Sequence, residues 1–187
     1  MKSDEQLVEE AKHGSEAAFT ELVTRYQQKL LRFLVARSAS RADAEDAVQD
    51  TFVNAYRYLD SYRPAWRFST WLYRIAIRNA ARQAMPATEE IGEQADPEAD
   101  PLADCVEQSE RRNLWLIAKR DLSADAFTAL WLRYAEDMSV KEVAVALNRP
   151  VSWTKVTLFR SRNVMARALE AEDRIGRQGD VYGQAGT

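Results

Sequence analysis

Three arginines recur at four-residue intervals near the middle of the chain, at Arg74, Arg78 and Arg82. Residues spaced by four lie on one side of an α-helix, so a helix here would carry a row of guanidinium groups. No acidic residue between positions 68 and 82 neutralises that row. Cations in a row can follow a phosphate backbone and release its counterions. The spacing therefore predicts a surface that binds nucleic acid.

A short segment that mixes arginine with aromatic residues, residues 60–67 (DSYRPAWR), stands immediately before this row. Pro64 predicts a loop there, and a helix is expected to follow from about Ser69 to Ala84. Rings and guanidinium groups can stack on bases that are not paired. Some of the rings could instead belong to the core, and we expect part of Trp71 to be buried. The segment favours contact with exposed bases.

An acidic helix is predicted before the loop, over residues 40–59, and Ser40 can cap it, with Asp43 at the third helical position. The inward-facing stripe is expected to contain Ala44, Ala47, Val48, Thr51, Phe52, Ala55 and Leu59. Two interpretations of the opposite, acidic face are open. Composition alone favours simple solvation, whereas a basic protein partner would give the charges a function.

The C-terminal part of the sequence has the pattern of a helix-turn-helix. Ser139 and Glu142 form a predicted capping box for a short helix, residues 148–151 (NRPV) form a turn, and a last helix is expected from Ser152 to about Ala171. Exposed aromatic residues on that last helix would suit contact with thymine methyl groups in a major groove. For Trp153, folding back on its own domain is the alternative.

Two linked motifs stand in order along the first half: DAED at 43–46 followed by QDTF at 49–52, and then FSTWLYRIA at 68–76. Together they resemble the region 2 signature of the extracytoplasmic-function (ECF) sigma factors of the sigma-70 superfamily, bacterial subunits that direct RNA polymerase to promoters. The C-terminal helices resemble sigma region 4. The resemblance covers roughly residues 4–171.

The resemblance implies a role for each surface. In the family, the acidic helix docks on the clamp helices of the polymerase largest subunit, and Asp46, Gln49 and Asp50 fall on its contact positions. The loop and the arginine helix would capture an extruded base and hold the melted minus-ten strand through Arg63, Trp66, Arg67, Phe68, Trp71, Arg74, Arg78, Asn79 and Arg82. The last helix would read the minus-thirty-five element through Ser152, Trp153, Lys155, Val156, Phe159 and Arg160. The implied partners are core RNA polymerase, through its β and β′ subunits, promoter DNA and an anti-sigma factor.

The net charge of −3 is unfavourable for DNA binding, but the charges are distributed unevenly along the chain. Residues 86–108 hold eight acids and no Lys or Arg, so removing these charges leaves the rest of the chain at +5. With three prolines, this segment is expected to be a flexible linker. A lone cysteine, Cys105, excludes an internal disulfide and favours a reducing, cytoplasmic setting. No signal peptide or membrane span is expected.

The predicted fold is all-α, with two small helical domains joined by the acidic linker. The expected boundaries are residues 1–85 for region 2, 86–108 for the linker, 109–173 for region 4 and 174–187 for a flexible tail. We find no set of catalytic side chains, no phosphate-binding glycine loop and no metal-ligand spacing, so no enzyme activity, cofactor or metal is expected. The alternative function is a stand-alone helix-turn-helix regulator that does not bind core polymerase.

Overall fold

The computed structural model of the protein describes residues 1–38, 40–83 and 106–183, and their side chains in 1–38, 40–81 and 114–171. All regular secondary structure in these residues is helical. In chain order the helices are α1 (Asp4–Lys12), α2 (Glu16–Arg37), α3 (Arg41–Arg57), α4 (Phe68–Gln83), α5 (Val106–Asp121), α6 (Ala124–Tyr134), α7 (Val140–Leu147) and α8 (Val151–Gly183), with a 3-10 turn at Leu59–Ser61. The all-α prediction is confirmed.

The first helix has Ser3 as its N-cap, and the Ser3 side chain forms a capping box with Gln6. Asp4, the first residue of the helix, accepts hydrogen bonds from Arg25 at 2.7 Å and from the Tyr26 hydroxyl. The carboxylate therefore joins α1 to α2 and is not available to cap its own helix.

Helices α1 to α4 pack around the stripe of α2, in which Leu22, Leu30, Phe33 and Leu34 are completely buried. The N-terminus of α3 forms as predicted, because the Ser40 hydroxyl accepts a hydrogen bond from the Asp43 backbone N–H at 3.1 Å. The cap satisfies one of the free N–H groups at the start of the helix, and the buried stripe of α3 contains Ala44, Ala47, Thr51, Phe52 and Ala55.

Helices α5 to α8 form the second group, and the predicted capping box of Ser139 and Glu142 is present at the start of α7. Asn148 ends α7 in the left-handed conformation, with φ of 53°, which Asn tolerates better than most residues. The last helix begins at Val151 but continues to Gly183, past both Ala171 and the predicted start of the tail at residue 174. No proline follows Pro150 to stop it. Residues 86–105 of the predicted linker lie outside the described part of the chain, and its last three residues, 106–108, belong to α5.

The two groups pack directly against each other, and their buried residues form one continuous core. Helix α4 lies against α7, and α2 contacts α5. At this junction the rings of Phe33 and Trp131 lie 6.1 Å apart, and Thr70 and Tyr73 of α4 are completely buried. The basic helix α4 is therefore held against the helix-turn-helix.

Candidate nucleic-acid interface

The loop before α4 is held in shape by Tyr62 and Arg63. The buried Tyr62 hydroxyl donates a hydrogen bond to the backbone carbonyl of Trp66 at 2.8 Å, and Arg63 donates to the carbonyl of Asp60 at 2.7 Å. Burial, helped by the nearby charges of Glu5 and Asp4, raises the pKa of Tyr62 to about 12. The loop thus presents the Trp66 ring, which is 39% exposed, at the surface.

Phe68 requires a correction, because its side chain is completely buried. Its ring lies 5.6 Å from that of Tyr26, 5.9 Å from that of Tyr62 and 5.7 Å from that of Trp71. A ring enclosed on these sides cannot line a pocket for a base in this conformation. Phe68 instead forms the aromatic floor under the loop, and Trp71 is half-buried in the same cluster.

The row of arginines on α4 is not uniform. Arg78 is exposed and Arg74 is half-buried, while the Arg82 side chain lies outside the described residues. Asn79 is half-buried, and its Oδ1 accepts a hydrogen bond from Asn54 Nδ2 at 3.3 Å. Asn79 therefore faces α3, away from the surface that Arg78 presents.

Arg67 and Arg74 turn towards the helix-turn-helix. Arg67 donates to the Glu142 carboxylate through Nε at 2.5 Å and Nη2 at 2.8 Å, and also to the carbonyl of Asp137 at 3.1 Å. Arg74 Nη2 donates to Asn148 Oδ1 at 3.4 Å. Arg67 and Arg74 are both predicted to bind single-stranded DNA. In the structure they contact the helix-turn-helix, which is predicted to bind duplex DNA.

Glu142 is the centre of this contact, and the sequence indicated only its role in the capping box. Its carboxylate also accepts the Ser139 backbone N–H at 2.8 Å and the Thr70 hydroxyl at 3.3 Å. The Arg67 guanidinium, aided by Ser139 and opposed by burial, lowers the pKa of Glu142 to about 2. The residue is 8% exposed, so an almost fully buried carboxylate is satisfied by donors from both helical groups.

The predicted polymerase-binding residues of α3, Asp46, Gln49 and Asp50, are all exposed. Val53 and Tyr56 continue the outer surface of α3, with 55% and 52% of their area exposed. These two residues were not predicted from the sequence, although Val53 stands three residues after Asp50 and Tyr56 three residues after Val53, a spacing that keeps successive side chains near one face of a helix. The acidic surface therefore has an apolar extension.

The recognition face of α8 is largely as predicted. Ser152, Lys155, Val156, Phe159 and Arg160 are exposed, and Val156 and Phe159 are 48% and 57% exposed. The buried positions of the same helix include Thr154, Leu158, Ser161 and Met165. These two sets separate a packing face from an outer face.

Trp153 neither packs fully into its own domain nor stands fully exposed on the recognition face. Its side chain is half-buried, and the Arg149 guanidinium carbon lies 5.2 Å from the centre of its ring. Arg149 is itself paired with Asp125 at 2.7 Å. The indole thus stacks with a cation of its own domain at the edge of the recognition face.

Neither a metal centre nor a membrane span is found in the part of the chain that the structure describes. Among the described residues, no group of three or more His, Cys, Asp or Glu side chains could hold a metal ion. The described helices include none with the length and apolar character needed to cross a bilayer. The features that the described surface offers are charged and aromatic.

Comparison with known proteins agrees with the motifs. The family model for sigma-70 region 2 matches residues 22–85. The RNA polymerase sigma-H factor of Pseudomonas aeruginosa is 32% identical over 189 residues, covering 91% of this chain and 95% of that protein. The ECF RNA polymerase sigma-E factor of Haemophilus influenzae is 32% identical over 182 residues, covering 90% of this chain and 96% of that protein.

A solved structure supports the fold over most of the chain. The sigma factor RpoE from Bartonella quintana, crystallised with the anti-sigma factor NepR, gives a TM-score of 0.62 at 22% identity, covering 81% of this chain and 96% of that one. The sequence relatives extend through the helix-turn-helix as well as region 2, which supports a sigma factor over a stand-alone regulator. The chain belongs to the extracytoplasmic-function family of RNA polymerase sigma factors.

Proposed function

We propose that this sigma factor divides its work among three surfaces: α3 for core polymerase, the loop and α4 for the melted minus-ten strand, and α8 for the minus-thirty-five duplex. The observation that carries the proposal is the segregation of exposed residues on α8. Lys155, Phe159 and Arg160 are exposed while Thr154 and Leu158 on the same helix are buried. A recognition helix needs such a division, because one face packs and the other enters the groove.

The α3 surface is proposed to bind the polymerase β′ subunit through Asp46, Gln49 and Asp50. Exposed acids on one helix face suit a basic partner surface and speed its association. Val53 and Tyr56 would add apolar area beside the charges, because interfaces combine an apolar centre with a polar rim. Contacts with the β subunit are proposed for the rest of the chain.

The strand-binding surface is proposed to consist of Trp66, Arg63 and Arg78, which is exposed on α4. A half-exposed indole can stack on a base that has left the duplex, and arginines can neutralise the phosphates beside it. Phe68 and Trp71 would support this surface from below, since their rings pack against each other under the loop.

Several further properties are proposed from family membership. We propose a region 2 domain, an acidic linker and a region 4 domain in that order, a cytoplasmic location, an anti-sigma partner and the absence of catalytic activity in the sigma factor itself. The anti-sigma partner is suggested by the Bartonella quintana sigma factor, which was solved with one.

Transcription reconstituted from purified components tests the proposal. The protein is mixed with core RNA polymerase and genomic fragments of its source, and run-off transcripts are mapped. Defined start sites that depend on this protein are expected, together with co-purification of the protein with core polymerase. Sequence-specific DNA binding with no association with core polymerase would instead support a stand-alone regulator.

A further inference from the structure

Four protein groups converge on the Glu142 carboxylate, and three of them come from the opposite helical group. Arg67 contributes its Nε and Nη2 hydrogen bonds, and Thr70 contributes its hydroxyl, while Ser139 supplies the local N–H of the capping box. Thr70 is completely buried at this contact. The carboxylate thus does two things at once, because it caps α7 and fastens α7 to α4.

The same contact occupies cations that a DNA strand would use. Arg67 is held by Glu142, and the nearby Arg74 donates to Asn148 at the turn of the helix-turn-helix. A carboxylate on a guanidinium competes with phosphate for the same donors. In this arrangement α7 also lies against α4, so a strand approaching these two arginines meets protein.

We propose that Glu142 acts as a latch that holds the helix-turn-helix over the strand-binding surface of the free protein, so that binding of single-stranded DNA requires the two helical groups to separate. This inference rests on the proposed role of α4 in holding the melted strand. The strand-binding surface is thus covered by a part of the same chain. The contacting groups are the Glu142 carboxylate and the Asn148 amide oxygen, which bind Arg67 and Arg74.

The junction also contains a group that opposes closure. Arg37 lies with its guanidinium carbon 5.5 Å from the centre of the Phe33 ring, and Phe33 meets Trp131 across the junction. Its Nη1 is buried without a hydrogen-bond partner among the described residues. An unsatisfied buried donor costs free energy, which is regained when the surface opens to water. Contact between the two helical groups is therefore favourable at Glu142 and unfavourable at Arg37. Opposing contributions of this kind allow the contact to be released.

The chain offers well-matched variants for testing the latch. Glu142→Gln keeps an amide oxygen for the Ser139 N–H, since Gln also serves in capping boxes, but loses the charge that holds Arg67. Asn148→Gly removes the oxygen that Arg74 contacts and suits the left-handed φ of 53°. Glu45→Gln makes the same charge change on α3, where Glu45 pairs with Arg41 at 2.8 Å, and serves as the control.

Two readouts on the full chain separate opening from DNA binding. Spin labels at the exposed positions Ala17 and Ala166, introduced as cysteines in a Cys105→Ser background, report the distance between α2 and α8. Binding of a fluorescent single strand of about 12 nucleotides is measured at low salt, which leaves charge contacts unscreened. Thermal melts confirm that each variant remains folded.

The latch predicts longer label distances for Glu142→Gln and about fivefold tighter strand binding or more, because the binding-competent fraction rises. Asn148→Gly should change the label distances and the strand affinity in the same direction but to a smaller extent. Glu45→Gln should match the wild type in both measurements. Unchanged distances and affinity in Glu142→Gln would overturn the latch.

The remaining outcomes distinguish the latch from the proposed function. If Arg78→Ala loses strand binding while Glu142→Gln changes nothing, the strand-binding surface stands and the latch is overturned. Glu142→Gln could also lengthen the distances while neither Glu142→Gln nor Arg78→Ala alters the affinity for the single strand. That result would overturn the assignment of α4 to the strand. It would also overturn the idea that the contact masks a strand-binding surface.

Discussion

The Arg67 guanidinium and the Glu142 carboxylate meet in paired hydrogen bonds of 2.5 and 2.8 Å, although 75 residues separate them in the chain. Glu142 is almost fully buried while half of the Arg67 side chain is exposed. A guanidinium and a carboxylate form two such hydrogen bonds only when the two planar groups are correctly oriented. The pairing holds Arg67, one of the residues predicted to bind the melted strand, against the helix-turn-helix.

This pair should make stability depend on acid. The folded-state pKa of Glu142 is lowered from 4.5 to about 2, so the contribution of the pair is fully present above about pH 5 and is lost as the pH falls towards 2. We expect Glu142→Gln to lower the free energy of unfolding by about 1 kcal/mol at pH 6, a value discounted because the Arg67 side chain is half solvated. The difference should shrink by pH 3 in urea titrations.

A double-mutant cycle identifies the cause of that pH dependence. In an Arg67→Met background, Glu142→Gln should show little change between pH 6 and pH 3, because the cation that lowers the pKa is gone. An equal pH dependence in both backgrounds would show that Arg67 is not responsible.

The complete burial of Phe68 predicts a clear contrast with the nearby Trp66. Phe68→Ala should lower the free energy of unfolding by about 3–5 kcal/mol, because it leaves a cavity among the rings of Tyr26, Tyr62 and Trp71. Trp66→Ala should lower it by much less, since 39% of that residue is exposed whereas Phe68 is completely buried. Chemical unfolding of both variants checks this. Equal stabilities would mean that Phe68 is not a structural residue.

Local signals in the sequence predicted much of the fold, for definite physical reasons. The capping boxes and caps depend on residues three apart, so Ser40 and Ser139 could be identified without knowing the tertiary structure. Asn148 could be recognised because few residues tolerate a positive φ.

The misjudged residues are those whose environment depends on distant parts of the chain. The family resemblance places Phe68 at a base pocket, yet its ring packs against Tyr26, which no local pattern reveals. The second role of Glu142 was missed because its partner is 75 residues away.

The α3 surface predicts a charge-sensitive attachment to core polymerase. Asp50→Lys should weaken core binding strongly, because like charges facing each other at an interface cost several kcal/mol. Glu9→Lys makes the same reversal on α1, at an exposed position away from α3, and should bind nearly as the wild type does. Titration of labelled core polymerase measures both. Equal affinities for the two variants would exclude α3 as the main attachment surface.

The division of DNA recognition between α8 and the loop predicts different defects in promoter complexes. Lys155→Ala and Arg160→Ala should weaken the initial closed complex, at about 1–3 kcal/mol for each lost base contact. Trp66→Ala should leave the closed complex nearly intact and impair strand opening, because its ring acts on a base that has left the stack.

The most direct test of this account is permanganate footprinting of the holoenzyme on duplex and premelted versions of a promoter mapped by run-off transcription. The account predicts that the premelted template largely restores open complexes to Trp66→Ala but does not restore binding to Lys155→Ala or Arg160→Ala. If Trp66→Ala lost duplex binding as severely as the α8 variants, and premelting did not help it, the assignment of the loop to the melted strand would be contradicted.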